Sequence, residues 1–292
     1  MPTYDARAIV LKKTKLGEAD LIITLLASDG RELRAVAKSA RKPTSRLGAR
    51  VEPFTVLEGQ FATGRNLDVI SDVRAVDPHA SLREDYDKLL AASVVAEMLA
   101  VVAAQDQATE RLYQMATTLF DLMDALPADK ALPLLLAWML KLFAVLGYRP
   151  LLEECAVCGR PISLDKERET GGQTPCVEIN LDGDKQDQVL SATGEYDSLA
   201  VEERFCWSAE AGGVICATCG AGQFIPLDTY NSAALAWLRT LFGATFAEVA
   251  AFDLSAELKR DLFRLIADFA QEHFPARLKS LTFLQQSGTI ET

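Results

Sequence analysis

Two short runs, Cys155-Ala156-Val157-Cys158-Gly159 and Cys216-Ala217-Thr218-Cys219-Gly220, constrain the fold of this chain more than any other feature. Two residues separate the cysteines in each, so both sulfurs of one tight turn reach the same point. The following glycine relieves crowding where backbone amides approach the sulfurs. Two such turns supply four thiolates, the donor set of a closed tetrahedral Zn²⁺ site. A site of this kind obliges the chain to return on itself across a spacer of 57 residues and staples the two segments together.

Competing readings of these cysteines are a redox pair or buried free thiols. All six cysteines of the chain lie between positions 155 and 219. In a reducing compartment, close pairs favour metal over disulfides. Cys176 and Cys206 read as ordinary thiols, with a second half-site or a redox pair as the functional alternative. A catalytic metal is not expected, because such centres keep an open position and use histidine or carboxylate ligands. The only histidines, His79 and His273, are remote in sequence. The spacer itself, 165–204, holds eleven acids against four bases and reads as a solvated surface, either a mobile loop or a small β-insert around the alternating residues 177–181.

A chain of 292 residues exceeds one typical domain, so two are expected: 1–80 and 81–292, the latter carrying the cysteine module at about 151–222. No run of about twenty apolar residues lacks charges. The nearest, 131–147, is short and contains Lys141. The N-terminus has no basic start followed by a long apolar run, so no signal peptide is evident. The expectation is a soluble, cytoplasmic chain with no membrane partner.

Residues 3–77 read as five strands: 8–11, 21–26, 33–38, 51–61 and 67–76, punctuated by Asp29-Gly30 and Gly64-Arg65-Asn66. In the third, Leu33, Ala35 and Ala37 alternate with Arg34, Val36 and Lys38, so period two places Arg34 and Lys38 on the face opposite Leu33. Five strands in so short a span suggest a small closed barrel. The OB-fold, which binds oligonucleotides, is the natural candidate, and a protein-binding barrel of the SH3-like kind is the alternative.

From Ser81 the period becomes helical. Helices are expected through 92–104, 110–125 and 130–146, the last stopped by Gly147 with Pro150 beyond. Their Ala- and Leu-rich faces read as packed core. Further helices are expected at 230–242, from an N-cap at Ser255 to about Phe274, and near the C-terminus. The fold class is therefore α+β and multidomain, an N-terminal OB-fold barrel followed by a helical domain carrying a four-cysteine zinc module.

The stretch 30–50 carries the charge signal. Arg31, Arg34, Lys38, Arg41, Lys42, Arg46 and Arg50 face one acid, Glu32, in a chain whose formal net charge is −11. A local field opposite in sign to the whole protein suggests a polyanion-binding surface. The candidate phosphate contacts are Lys38, Arg41, Lys42, Arg46 and Arg50, with Arg34, Lys12 and Lys13. Such contacts carry little sequence information. Phe54 and Phe61 are stacking candidates that fit the barrel core better. No HExxH metalloprotease motif and no phosphate-cradling GxxxxGK[ST] loop occurs, so enzymatic activity is not expected.

The chain resembles the RecO family of DNA repair proteins. The resemblance rests on residues 8–12, 16–24, 35–41, 45–47 and 52–54, then Leu146-Gly147-Tyr148-Arg149-Pro150 before the first cysteine pair, and Gly212-Gly213-Val214-Ile215-Cys216 at the second. It implies an OB-fold, a helical domain and often a four-cysteine zinc site. It implies binding of single- and double-stranded DNA, annealing of complementary strands, and loading of RecA with RecR onto DNA coated by single-strand binding protein. A nucleoid-associated location follows from that role. Ser39 departs from the family, which usually has glycine before Ala40-Arg41, and the acidic spacer looks like an insertion. An adaptor without strong DNA binding is the alternative function. Its site for the acidic, apolar-ended tail of single-strand binding protein would pair an apolar pocket with one of Arg260, Arg264, Arg277 or Lys279.

Overall fold

Apolar side chains at every second position, such as Ala8 and Val10 or Ile23 and Leu25, turn inward and carry the N-terminal segment into a closed barrel. A computed structural model describes residues 2–105, 107–163, 204–221 and 229–287. Its first five strands are β1 (Thr3–Leu16), β2 (Asp20–Ala27), β3 (Glu32–Ala37), β4 (Val56–Ala62) and β5 (Asp68–Asp77). They run in the order β1-β2-β3-β5-β4, and β4 closes on β1. The β3–β5 contact is the one parallel pairing of the barrel, through Ala35–Asp68 and Val36–Val69. Closure removes free sheet edges. Val10, Ile23, Leu25, Leu57 and Phe61 fill the interior.

The expected strand over 51–61 is corrected. It begins only at Val56. Residues Arg46–Arg50 form a short helix, α1, whose N-cap Ser45 accepts a hydrogen bond from the Gly48 amide. Phe54 then adopts φ +70°, a left-handed turn that no extended strand contains. That turn is held because the Phe54 amide donates to the Val10 carbonyl and the Val10 amide to the Thr55 carbonyl.

The helical body consists of α2 (Ser81–Glu84), α3 (Tyr86–Ala104), α4 (Glu110–Ala125), α5 (Ala131–Val145), α6 (Ala217–Ala221), α7 (Ser232–Gly243), α8 (Phe246–Ala251), α9 (Ala256–His273) and α10 (Lys279–Gln286). Every residue from Ala131 to Leu140 is buried. A helix apolar on all sides must be enclosed, and α3, α4, α7, α8 and α9 pack around α5. It stops as expected, with Gly147 at φ +87°. The α9 N-cap is Ser255, as the sequence indicates, and its buried stripe includes Leu258, Leu262, Leu265, Ile266 and Phe269. Helix α10 docks on α3, where the Glu97 carboxylate accepts from the amides of Lys279 and Ser280. No helix among the described residues is long and apolar enough to cross a membrane.

Barrel and helical body share a core. Ile9, Leu11, Leu26, Phe54 and Val56 point away from the barrel interior and join the helical cluster, with α3 lying across β1, β2 and β3. His79, 3% exposed, pins the junction. Its Nδ1 lies 2.8 Å from the Phe54 carbonyl and its Nε2 lies 2.8 Å from Asp121 of α4. The helices therefore occlude part of the barrel's outer face and leave the remainder to solvent.

A second, small sheet, unanticipated in the sequence, follows the spacer: β6 (Arg204–Ser208), β7 (Gly213–Ile215) and β8 (Thr229–Asn231), in the order β7-β6-β8. Tyr230, read as helical, belongs to β8. Helix α7 starts after Asn231, whose side chain caps it. Arg204 opens β6, whereas the rest of the acidic stretch, with Cys176 and residues 177–181, lies outside the described residues.

Candidate nucleic-acid interface and metal centre

The barrel separates the eight basic candidates by strand alternation. Lys12 pairs across the sheet with Thr24, and Thr24 with Arg34. Lys12 and Arg34 therefore stand in one row on the outer face of β1-β2-β3, and both are exposed. Lys13, one residue on, faces the other way and its ammonium is bound by the Glu52 carboxylate. Lys38, Lys42 and Arg46 are exposed and have no ion pair among the described residues.

Arg41 is fixed without being neutralised. Its Nη1 donates to the carbonyls of Gly17 at 3.0 Å and Glu18 at 2.8 Å, tying the turn after β3 to the β1–β2 hairpin. Arg50 is spent on structure. It donates to the Val73 carbonyl at 2.9 Å and pairs with Asp72 at 3.3 Å, holding α1 on β5. Among the described residues, Lys12, Arg34, Lys38, Lys42 and Arg46 thus present free charge, Arg41 presents oriented charge, and Lys13 and Arg50 are compensated. Arg50→Ala should cost about 0.5–1.5 kcal/mol of stability, chiefly through the carbonyl contact, since the exposed ion pair adds little. Denaturant unfolding measures that loss, and the salt dependence of nucleic-acid binding should stay as in the wild type.

Two exposed cations escaped the sequence reading. Lys15 ends β1 next to the hairpin turn, and Arg65 lies in the loop before β5, whose first residues pair with Ala35 and Val36 of β3. Neither stands in the dense basic run, so a charge count over 30–50 does not reach them. Both stacking candidates are core: Phe61 is fully buried and Phe54 is 3% exposed.

Ser39, at the centre of the basic turn, has φ +56°. Its amide donates to Asp20 at 2.6 Å, which holds the left-handed conformation. A side chain disfavours that region, whereas glycine enters it freely. Ser39→Gly should therefore raise stability by between zero and about 1 kcal/mol, the gain being offset by the freer unfolded chain. Thermal unfolding checks this, and a clear loss would contradict it.

The cysteine turns meet as the sequence requires. The sulfurs of Cys155, Cys158, Cys216 and Cys219 all lie within 4.8 Å of one another, with Cys158 and Cys216 3.9 Å apart. These separations suit four donors around one ion. Gly159 closes the first turn at φ +69°. Gly220 has a different reason from the one expected. A Cβ there would lie 2.7 Å from the sulfur of Cys206, which packs against the second turn. Cys206 is half-buried and burial pushes its thiol pKa up. It stands beside the four-sulfur group and not within it.

Electrostatics at the cluster favour a cation. Burial raises the Cys155 pKa, but the amides of Cys216, Cys158 and Val157 outweigh it and bring the thiol down to about 6. The Cys219 pKa is pushed up by sharing its proton with Cys216 and Cys158. Four crowded sulfurs resist joint ionisation unless a positive charge sits among them. The surroundings fix the turns. Arg239 of α7 donates to the Leu152 carbonyl at 2.7 Å and the Ile162 carbonyl at 2.8 Å, gripping both ends of the first knuckle. His273 lies 2.6 Å from the Ala209 carbonyl, so it anchors the β6–β7 turn to α9 and takes no part in the cluster.

On the helical body, Phe274, Leu278 and Leu281 line a groove of about 490 Å³ between α9 and α10, with Arg277 among its lining residues. Arg260, Arg264 and Lys279 do not line it.

The N-terminal model of recombination protein O matches residues 1–79, and the C-terminal model of the same family matches residues 83–183. The DNA repair protein RecO of a Nocardioides species is 41% identical over 159 residues, which is 53% of this chain and 64% of that protein, just under two thirds of its length. That of Cutibacterium acnes is 35% identical over 166 residues, 55% of this chain and 68% of that protein. That of Bifidobacterium adolescentis is 28% identical over 293 residues, 97% of this chain and 100% of that protein.

Proposed function

Given that the chain belongs to the RecO family of DNA repair proteins, we propose that it is a non-enzymatic recombination mediator whose barrel binds single- and double-stranded DNA and anneals complementary strands. The observation that carries this reading is the open face of the barrel. Lys12 and Arg34 stand exposed in one row there, Lys38, Lys42 and Arg46 are exposed in the turn and short helix that follow β3, none has a carboxylate partner among the described residues, and Arg41 is held in place by two carbonyls. Clustered free cations in an acidic chain attract polyanions. By screening phosphates of two strands at once, they lower the repulsion that opposes pairing.

Zn²⁺ is the ion that four clustered thiolates suit best. Cys155, Cys158, Cys216 and Cys219 would hold it, and it would supply a crosslink between the two knuckles. Its part is structural. The further partners in this reading are RecR, with which the protein loads RecA, and the acidic tail of single-strand binding protein, in the cytoplasm and at the nucleoid. The groove containing Arg277 favours a contribution from the adaptor role, because it offers an apolar floor with a cation to an acidic peptide with an apolar end.

The test is fluorescence anisotropy with labelled single-stranded DNA over a range of salt. Six phosphate contacts predict a log K against log salt slope of about −4 on a single strand. Affinity that does not respond to salt, or no binding at low salt, would sink the DNA-binding reading in favour of the adaptor.

A further inference from the structure

We propose that the barrel grips nucleic acid by its sugar-phosphate backbone alone and leaves the bases unstacked on protein, free to pair. The inference rests on the nucleic-acid reading above and specifies which part of the ligand is held. It comes from where the aromatic rings are. The barrel segment, residues 1–80, contains three Phe or Tyr residues and no Trp: Tyr4, Phe54 and Phe61. Phe61 is fully buried, and Phe54 is turned into the helical core, where it packs on Phe120 at 5.6 Å between ring centroids. Tyr4 packs against the barrel-interior cluster; its ring stacks on Phe61 at 5.6 Å between ring centroids and its hydroxyl donates to Asp68, which pairs with Ala35 of β3. His79, also in this segment, is 3% exposed. No ring is available on the face that carries the free cations.

What remains on that face suits phosphate and not base planes. Thr14, Lys12 and Arg34 are exposed, and Leu16 and Val36 supply aliphatic surface without a flat ring. The guanidinium of Arg41 is already aligned by the Gly17 and Glu18 carbonyls, which leaves its other N–H groups to donate to phosphate. The exposed aromatic side chains among the described residues, Tyr86, Tyr148 and Phe283, all belong to the helical body. Proteins that hold single strands by stacking use rings in the binding groove. A surface with cations and no rings holds the charged backbone and offers the bases no aromatic platform. Bases left outward are bases that a second strand can reach.

The experiment compares two oligodeoxynucleotides of equal length and phosphate count with the full-length chain. One has a mixed sequence and the other has abasic sites throughout. Each base stacked on a ring contributes roughly fivefold or more in affinity. Backbone-only binding predicts Kd values within about fivefold of each other, with equal salt slopes, and thymines in the complex that permanganate oxidises as readily as in free DNA. An abasic strand bound more weakly than that, or thymines protected in the complex, would overturn the inference while leaving DNA binding intact. No binding of either strand would overturn the DNA reading and this inference with it.

Discussion

In a variant carrying both Cys155→Ser and Cys158→Ser, bound zinc should fall from one ion per chain to none, and the protein should lose at least ~3 kcal/mol of stability. The scale comes from structural zinc sites, where binding contributes roughly 10–16 kcal/mol to small domains that have little else to hold them. Here the loss is smaller because the knuckles are also held by protein. The Val214 amide donates to the Leu151 carbonyl, the Leu151 amide donates to the Gly212 carbonyl, and Arg239 grips the Leu152 and Ile162 carbonyls. The barrel, whose interior is a separate cluster, should keep its fold. Metal analysis with thermal unfolding measures both outcomes. Full metal content in the variant would show that the four sulfurs are not the site. Chelation of the wild type should reproduce the loss, and readdition of zinc should reverse it.

The second large effect concerns DNA. A variant with Lys12, Lys38, Lys42 and Arg46 changed to alanine removes four free cations and spares Arg41, whose contacts shape the hairpin turn. Each single-strand phosphate contact contributes about 0.7 to the salt slope, so the slope should fall by about 2.8 and affinity at 100 mM salt by on the order of 10²–10³-fold. All four side chains are exposed, so the melting temperature should hardly move. A fully folded variant that binds DNA as tightly as the wild type would place the DNA site elsewhere.

The legible parts of this chain were those with a strong local period or a repeated motif. The barrel followed from apolar runs at 8–11 and 21–26 and alternation at 33–38, and α5 from its long apolar run, broken only by Lys141, and its stop at Gly147. The meeting of Cys155 and Cys158 with Cys216 and Cys219 followed from the paired CxxCG turns, because two half-sites across a long spacer make sense only when brought together. What local patterns hid depended on tertiary contacts. Strands β7 and β8 have three residues each, too few for a period, and exist because β6 pairs with both. The late start of β4 depends on Phe54 crossing from the barrel to the Phe120 ring. Charge at Lys12 and Lys13 looks equivalent in sequence, yet alternation delivers one to solvent and the other to Glu52. Helix α8 did carry a readable signal, the Thr245–Glu248 capping box.

Ser39 makes a left-handed turn with a side chain that tolerates it poorly, and Asp20 compensates by accepting from the Ser39 amide. The same turn carries Lys38, Arg41 and Lys42, so the strained position lies at the centre of the proposed DNA surface.

The most direct test of the central claim is annealing of complementary labelled strands. Wild type and the Lys12/Lys38/Lys42/Arg46→Ala variant would be compared at several salt concentrations. The wild type should accelerate pairing, salt should suppress that acceleration steeply, and the variant should give little above the spontaneous rate. Equal acceleration by both proteins would contradict the assignment of strand pairing to the open face of the barrel.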